Sequence, residues 1–199
     1  VGLVPDLTKV CGQAWQNEGD RIYLLGIGSD SMGDRTVTLG GSEYLKCIHN
    51  TVAGQPPKVD IELELAVQAA CRHGIRQGWV KSAHDCAEGG LAIALSESCI
   101  GADKGATITL NQGSLRPDTL LFAEGGARIV LSVSGDDQDM WETYCRDNAV
   151  ACQFLGTVGS SSTPLTIRTE NGNILISALP TVLADPWKFS IERSLSQEL

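Results

Sequence analysis

The chain has 199 residues, 42% of them hydrophobic, and its formal net charge at pH 7 is −9. Such a chain can bury a substantial core, and its length fits one domain with an appendage. The negative charge and the lack of a Lys/Arg cluster argue against binding to a nucleic-acid backbone, which requires a basic surface. No apolar run approaches the ~18 residues of a membrane span. The first residues lack a charged region followed by an apolar one, so we expect no export. We therefore expect a cytoplasmic protein with neither nucleic acid nor a membrane as partner.

The first part of the chain predicts a linker, one buried strand and two helices. Residues 1–20 join a short apolar run to a polar stretch, and we interpret them as the end of a preceding domain followed by a linker. The apolar residues 21–28 predict a buried strand. Ser42 and Asp60 precede helical patterns and are predicted N-caps, the second of a helix that ends near Gln77.

Three glycines at the end of that strand invite comparison with a dinucleotide-binding loop. Gly26, Gly28 and Gly33 are spaced G-x-G-x4-G, however, and no acidic residue is placed to contact a ribose. The spacing therefore argues against a dinucleotide fingerprint.

The stretch 79–101 carries the residues of greatest chemical interest. Its pattern predicts a short strand, a polar loop and a helix that ends at Gly101. Gly89 and Gly90 open the helix, and the free N–H groups of a helix N-terminus favour an anion such as a phosphate. Asp85 leaves the end of the strand, where its carboxylate would hold Mg²⁺ beside that phosphate. The alternative is that both glycines serve only close packing of the helix against the sheet.

The seven cysteines include no C-x-x-C pair, and their number is odd. A disulfide framework or a zinc site is therefore disfavoured. Cys71 and Cys99 fall in apolar helical runs and are predicted core residues. Cys86 lies near a helix start, a position that lowers the pKa of a thiol, but no histidine with an orienting group is assigned to it. We do not predict Cys86 to be a nucleophile.

The second half of the chain predicts mainly strands. In order, the patterns predict strands at 106–110 and 127–133, a helix at 136–149, a strand at 151–158, and a hairpin of 165–169 with 174–177. Glu124 and Arg128 flank one turn and are a candidate ion pair. Trp187 and Phe189 lie in the tail that follows Pro180, and we expect them to dock on a partner surface.

Strands mixed with helices predict an α/β (α+β) fold, a three-layer mixed β-sheet flanked by helices. We assign residues 21–180 to the main domain and residues 181–199 to a C-terminal tail. No internal repeat or low-complexity region interrupts the domain.

Four motifs, in this order, resemble one known family. They are L-G-G-S-E-Y-L at 39–45, V-D-I-E-L-E-L-A-V-Q at 59–68, S-A-H-D-C-A-E-G-G-L-A-I-A-L-S-E at 82–97 and L-F-A-E-G-G-A-R-I-V-L-S-V at 121–133. Together they resemble the C-terminal PurM-like domain (AIR synthase C-terminal domain) of the synthetase subunit in the phosphoribosylformylglycinamidine synthase family. V-G-L-V-P-D-L at 1–7 is similar to the last strand of the domain that precedes it in that family. The resemblance covers nearly the whole chain and implies a PurM C-terminal domain-like fold.

The resemblance also implies an activity. Members of this family are ligases of purine biosynthesis that use ATP and ammonia delivered from glutamine to convert formylglycinamide ribonucleotide to its amidine. ATP and Mg²⁺ are the implied cofactors, bound mainly by preceding domains. The catalytic histidine of the family lies outside these residues, so we assign no catalytic residue here and expect the isolated chain to be inactive. The implied partners are the preceding domains, a glutaminase subunit and a small accessory subunit.

One motif departs from the family pattern. In the large single-chain members, an H-D-x-S-x-G-G motif holds Mg²⁺ through its Asp and touches a nucleotide through its Ser. Asp85 matches that Asp, but Ala87 replaces the Ser and removes its hydroxyl. Two alternatives stay open: a structural or partner-binding module without a ligand, and another ATP-dependent enzyme of the PurM superfamily, such as thiamine-monophosphate kinase, selenophosphate synthetase or aminoimidazole ribonucleotide synthetase.

Overall fold

The computed structural model describes residues 3–29, 32 and 36–196. Within them, one mixed sheet contains the strands β1 (Arg21–Gly26), β2 (Val80–Asp85), β3 (Ala106–Leu110), β4 (Arg128–Val133), β5 (Cys152–Val158), β6 (Leu165–Thr169) and β7 (Ile174–Ala178). Their order in the sheet is β2-β4-β1-β5-β3-β6-β7. Only the β3–β6 pair is parallel in this sheet, so β1, β2, β3 and β6 all run in one direction. Their carboxyl ends share one side of the sheet, which we call the carboxyl edge.

Helices cover both faces of this sheet. Those within the described residues are α1 (Glu43–His49), α2 (Ile61–Gln77), α3 (Gly90–Ala102), α4 (Pro117–Phe122), α5 (Gln138–Asp147) and α6 (Pro180–Ser196), with a 3₁₀ turn at 135–137 ahead of α5. α2 and α5 contribute to the hydrophobic cluster on one face, and α3 and α4 contribute to the cluster on the other. The structure thus confirms the predicted three-layer mixed sheet flanked by helices.

The central strand β1 is buried on both faces. Ile22 and Leu24 belong to the cluster on the α3 side, and Tyr23 and Leu25 belong to the cluster on the α2 side. Full burial of a large apolar side chain contributes about 1.5–3 kcal/mol, so this strand anchors both cores. Its apolar run lacks polar alternation, which is typical of a strand covered on both sides.

The predicted N-caps are confirmed for α1 and α2. The Ser42 hydroxyl accepts a hydrogen bond from the Leu45 amide (3.3 Å), and the Asp60 carboxylate accepts one from the Leu63 amide (3.0 Å). Each cap therefore satisfies a helix N–H group that has no partner within the helix.

Three segments differ in detail from their sequence-based description. α3 runs past Gly101 and ends with Asp103 in the left-handed conformation (φ 50°), which Asp adopts more readily than most residues. The residues before Gly125 form the short helix α4, with Pro117 in its first turn. The C-terminal tail is helical as far as Ser196. The strand at 151–158 and the hairpin are confirmed, as β5, β6 and β7.

The segment ahead of β1 packs against the domain. Residues 3–20 contain turns and bends rather than the strand suggested by the first residues, of which 1 and 2 lie outside the described part. Trp15 is 2% exposed, and its indole N–H points to the Cys99 sulfur at 3.3 Å. The Ala83 amide of β2 donates a hydrogen bond to the Gly12 carbonyl (3.0 Å). The incoming chain therefore covers part of the outer edge of β2.

The helix α6 contacts the rest of the domain through its first half. Leu183 packs against the core on the α3 side, whereas Trp187, Ile191 and Leu195 are 55%, 76% and 64% exposed. The second half of α6 thus presents apolar side chains that the described residues leave largely exposed. Neither α6 nor another helix among the described residues is long and apolar enough to span a bilayer.

Candidate functional site at the carboxyl edge

The carboxyl edge is the place in an open α/β sheet where ligands usually bind. Two neighbourhoods along this edge carry polar groups. The first, the β2 corner, consists of Asp85, Cys86, Gly89, Gly90 and Glu124 where β2 leads into α3. The second, the β5 cleft, is a cavity over the ends of β1, β3, β5 and β6.

Asp85 lies on the surface of the β2 corner. Its side chain is 75% exposed, and one carboxylate oxygen is 3.3 Å from Nδ1 of His84. The opposite ring nitrogen of His84 is 2.6 Å from a carboxylate oxygen of Glu97 in α3. The other oxygen of Glu97 accepts a hydrogen bond from the indole N–H of Trp187 in α6 (3.1 Å). His84 and Glu97 therefore tie β2, α3 and α6 together beside the exposed Asp85.

The described residues supply only part of a magnesium site. No group of three His, Cys, Asp or Glu side chains within them is arranged to hold a metal. Mg²⁺ commonly takes one or two protein carboxylates and completes its shell with phosphate oxygens and water. The exposed carboxylate of Asp85 fits that limited role, as a single ligand to an ion that is held mainly by other groups.

The N-terminus of α3 is already paired with a carboxylate. One oxygen of Glu124 accepts hydrogen bonds from the amides of both Gly89 (2.8 Å) and Glu43 (2.9 Å), the second of which opens α1. The Gly90 amide donates to the Ala87 carbonyl (3.1 Å). Glu124 thus lies where the sequence predicts a phosphate. Its negative charge interacts favourably with the positive end of the helix dipole, as a phosphate would.

Gly90 has a packing reason to be glycine. Its φ is +64°, a conformation that side chains rarely adopt, and a Cβ atom here would lie 2.5 Å from the carbonyl oxygen of Ala123. Only glycine allows the loop to approach the end of α4 this closely. The close-packing alternative therefore accounts for Gly90.

The predicted pairing of Glu124 with Arg128 is wrong. Arg128 is 3% exposed, and its guanidinium donates to the carbonyls of Ile27 (3.1 Å) and Ala123 (3.3 Å). Glu124 instead faces the helix starts, because its backbone is fixed by two hydrogen bonds to Thr38 (2.9 Å each). The two residues flank one turn in the sequence, but the Arg128 side chain donates to backbone carbonyls and the Glu124 side chain accepts from backbone amides.

Cys86 forms the buried floor of the β2 corner. It is 3% exposed, and burial raises the pKa of its thiol, an effect that the nearby positive charge of Arg128 only partly offsets. A buried, protonated thiol is a poor nucleophile. Cys71 and Cys99 are buried as predicted, and burial raises the pKa of each to about 11.

Sequence reasoning missed the β5 cleft. Its volume is about 330 Å³, and the side chains and backbone that line it include Gly26, Ser29, Asn111, Cys152, Gln153 and Glu170. These residues come from four strand ends that are far apart in sequence and form no motif. The only signal in the sequence was the glycine-rich end of β1, and its third glycine, Gly33, lies outside the described residues.

Comparison with known proteins gives these features a context. A family model described as AIR synthase related protein, C-terminal domain, matches residues 17–164. The phosphoribosylformylglycinamidine synthase subunit PurL of Cyanothece sp. is 53% identical over 198 residues, which are 98% of this chain and 25% of that protein. The chain thus spans about a quarter of the length of the curated relatives that it matches.

Solved structures share the fold at lower sequence identity. Thermotoga maritima PurL complexed with ATP aligns with a TM-score of 0.65 and 17% identity, over 89% of this chain and 28% of that one. The structure of PurLQS from Thermotoga maritima aligns with a TM-score of 0.67 and 16% identity, over 88% of this chain and 28% of that one. At these identities the likeness establishes the fold.

Proposed function

Because this chain belongs to the AIR synthase related family, whose C-terminal domain matches most of it, we propose that it is the C-terminal domain of a phosphoribosylformylglycinamidine synthase subunit PurL. The observation that carries this proposal is the 53% identity over 98% of the chain. The whole protein then converts formylglycinamide ribonucleotide to its amidine in purine biosynthesis, with ATP and with ammonia from glutamine, in the cytoplasm.

Within that protein, we propose a supporting role for this chain. The preceding domains hold ATP and Mg²⁺ and carry the catalytic groups, and this domain completes the scaffold. The pairing within the β2 corner supports this division of roles between the domains, because Glu124 already accepts the hydrogen bond of the Gly89 amide. Asp85, whose side chain is 75% exposed, is the carboxylate that remains available as a single Mg²⁺ ligand. A phosphate over Gly89 and Gly90 would have to displace Glu124.

Separating the domain from the rest of the protein tests the proposed ligase. The isolated chain, supplied with ATP, ammonium and formylglycinamide ribonucleotide, should release no ADP above background. The remaining part of the protein, that is, the preceding domains without this chain, should be inactive alone. Mixing the two parts should restore activity. A Gly90→Val chain, which cannot pack α3 normally, is the control that should fail to restore activity. Full activity of the remaining part on its own would contradict the proposal.

A thermal-shift titration with Mg·ADP tests the role of Asp85. A ligand that binds only the folded state stabilises it by about 2.7 kcal/mol at one hundred times its Kd. We expect Mg·ADP to raise the Tm of the two mixed parts of the protein equally with the unmodified chain and with Glu88→Ala, a matched removal of a negative charge in the same loop. With Asp85→Ala the rise should be smaller, because the ion loses one ligand. An equal rise for Asp85→Ala would show that Asp85 is not a metal ligand, and it would favour the structural alternative.

We propose that the preceding domains of the same polypeptide cover the second half of α6. Exposed apolar groups such as Trp187, Phe189 and Ile191 support this, because contiguous apolar surface often marks an interaction site. The glutaminase and small accessory subunits would bind the assembled protein. Hydrogen exchange at 185–196 should slow when the remaining part of the protein is added, while exchange in α5 stays unchanged. Unchanged exchange at 185–196 would contradict this contact.

A structural or partner-binding module without any ligand is the second candidate function. The paired state of the β2 corner favours it, because Glu124 leaves the start of α3 without a free amide at Gly89. In that case, mixing the two parts still restores activity, but Asp85→Ala leaves the stabilisation of the mixed parts by Mg·ADP unchanged. The two experiments together separate the candidates.

A further inference from the structure

The β5 cleft is a cavity on the carboxyl edge that the proposed function leaves unused. Its volume of about 330 Å³ lies at the lower end of the range of roughly 300–1,000 Å³ for small-molecule sites. It opens where β1, β3 and β6 all end, so three strands direct their carboxyl ends at it. Its size suits a single sugar ring or nucleoside rather than a dinucleotide.

Its polar side chains have unused hydrogen-bonding capacity. Neither Gln153 nor Glu170 makes a side-chain hydrogen bond or ion pair with another described residue. The Asn111 carbonyl oxygen accepts from the Gly113 amide (3.0 Å), and its NH₂ group makes no further bond within the described part of the chain. The cleft therefore offers two amide NH₂ donors together with carboxylate and amide oxygen acceptors.

We propose that the β5 cleft binds a ring with vicinal hydroxyl groups, such as the ribose of a nucleoside. A hydroxyl group both donates and accepts hydrogen bonds, and this mixture of amides with one carboxylate offers both kinds of partner. An ammonium group has only donors, so the amide NH₂ groups could form no hydrogen bond with it. A phosphate would be repelled by Glu170. This inference does not depend on the catalytic activity of the whole protein.

Two features of the sheet fix the backbone that carries these side chains. Gln153 lies on β5 opposite Leu24 of the buried strand β1. The Glu170 amide donates to the Leu110 carbonyl (3.1 Å), which joins the end of β6 to the end of β3 beside Asn111. Side chains based on rigid strand ends form more exact sites than side chains on free loops. The backbone of the cleft is thus fixed by the sheet itself.

Nuclear magnetic resonance on the 199-residue chain tests the proposal. The probe is methyl β-D-ribofuranoside, and its 2-deoxy analogue is the matched ligand control. We expect saturable shifts of the Gln153 side-chain NH₂ signals and of the Glu170 backbone amide. The deoxy analogue should bind about tenfold more weakly, as loss of one hydrogen bond predicts. Inorganic phosphate should neither shift these signals nor compete.

Two variants assign the binding to the cleft. Glu170→Gln and Gln153→Ala should each raise the Kd of the riboside at least fivefold. Glu192→Gln, which removes an exposed carboxylate on α6, should leave it unchanged. Glu170→Gln is isosteric at an exposed position, so it tests the site even if Gln153→Ala disturbs the strand. Absence of shifts at 50 mM riboside, an equal Kd for Glu170→Gln, or competition by phosphate would each overturn the proposal.

Discussion

The β2 corner and the β5 cleft lie on the same edge of one sheet, yet they differ in what their polar groups are doing. In the corner, Glu124 accepts from the amides that begin α1 and α3, and Gly90 packs against Ala123. In the cleft, Gln153 and Glu170 line open space of about 330 Å³. The corner is internally paired, whereas the cleft has polar groups without partners in the described chain.

This difference shows that a conspicuous motif and an available site need not coincide. The glycines and acidic residues of the corner have the spacing of an anion site, but the same chemistry serves the fold when a side chain of the protein supplies the anion. The cleft has no motif, because its groups come from strands that meet only in the folded state. Four measurements would break or sharpen this contrast, and they are taken from the largest expected effect to the smallest.

Gly90→Ala should be the most damaging change. The new Cβ atom would lie 2.5 Å from the Ala123 carbonyl oxygen at a φ of +64°, so strain and overpacking together should lower the free energy of unfolding by about 2–5 kcal/mol. Gly172→Ala is the control, because its φ of +85° adds strain without a neighbour within 4 Å, at about 1–2 kcal/mol. Urea unfolding measures both. Equal losses would show that packing does not restrict the corner.

Alkylation rates test whether the floor of the corner is closed. Cys86 is 3% exposed, and burial raises the pKa of its thiol above the ordinary value. A smaller fraction of it is therefore thiolate at pH 8 than of an ordinary cysteine. Iodoacetamide should modify it at least ~100-fold more slowly than the exposed Cys47, with the two peptides followed by mass spectrometry. Raising the pH should speed the reaction of Cys86. Rates within tenfold of each other at pH 8 would mean that the corner opens readily.

Glu124→Ala and Glu170→Ala compare a paired carboxylate with an unpaired one. Loss of Glu124 leaves the amides of Glu43 and Gly89 without their acceptor. The free energy of unfolding should therefore fall by about 1–3 kcal/mol. Loss of Glu170 breaks no side-chain bond with a described residue, and the change should stay within about 0.5 kcal/mol. Urea unfolding at neutral pH is the measurement. A larger loss for Glu170→Ala would reverse the contrast between corner and cleft.

Asp85→Asn should change stability least. The side chain is 75% exposed and 3.3 Å from His84, and exposed pairs of this kind contribute about 0–1 kcal/mol. We expect the free energy of unfolding to change by less than about 0.5 kcal/mol. A loss above about 1 kcal/mol would mean that Asp85 is a structural member of the corner rather than a free carboxylate.

Local patterns predicted much of the fold. The caps at Ser42 and Asp60, the buried strand β1 and the hairpin of β6 with β7 depend on residues close in sequence, and propensity and periodicity act over that range. The strand, loop and helix around Asp85 were predicted for the same reason. The end of α3 was misplaced by two residues because Asp103, rather than a glycine, takes the left-handed conformation.

The bonds that decide the character of the site could not be predicted in this way. Glu124 reaches Gly89 across 35 positions and Glu43 across 81. Arg128 lies four residues from Glu124 but donates to Ile27, 101 positions away. Such contacts depend on strand order and on which face a side chain takes, and neither follows from the spacing of charges along the chain.

The hydrogen bond from Ala83 to Gly12 has a consequence for the solution behaviour of this domain. A bare outermost strand can recruit the same strand of a second molecule and start an ordered aggregate. By lying against β2, the incoming backbone occupies one of the donors that such growth would use. A shortened chain that starts at β1 would leave the Ala83 amide unpaired at this edge, and it would also lack the buried Trp15. Its tendency to form fibres should therefore rise.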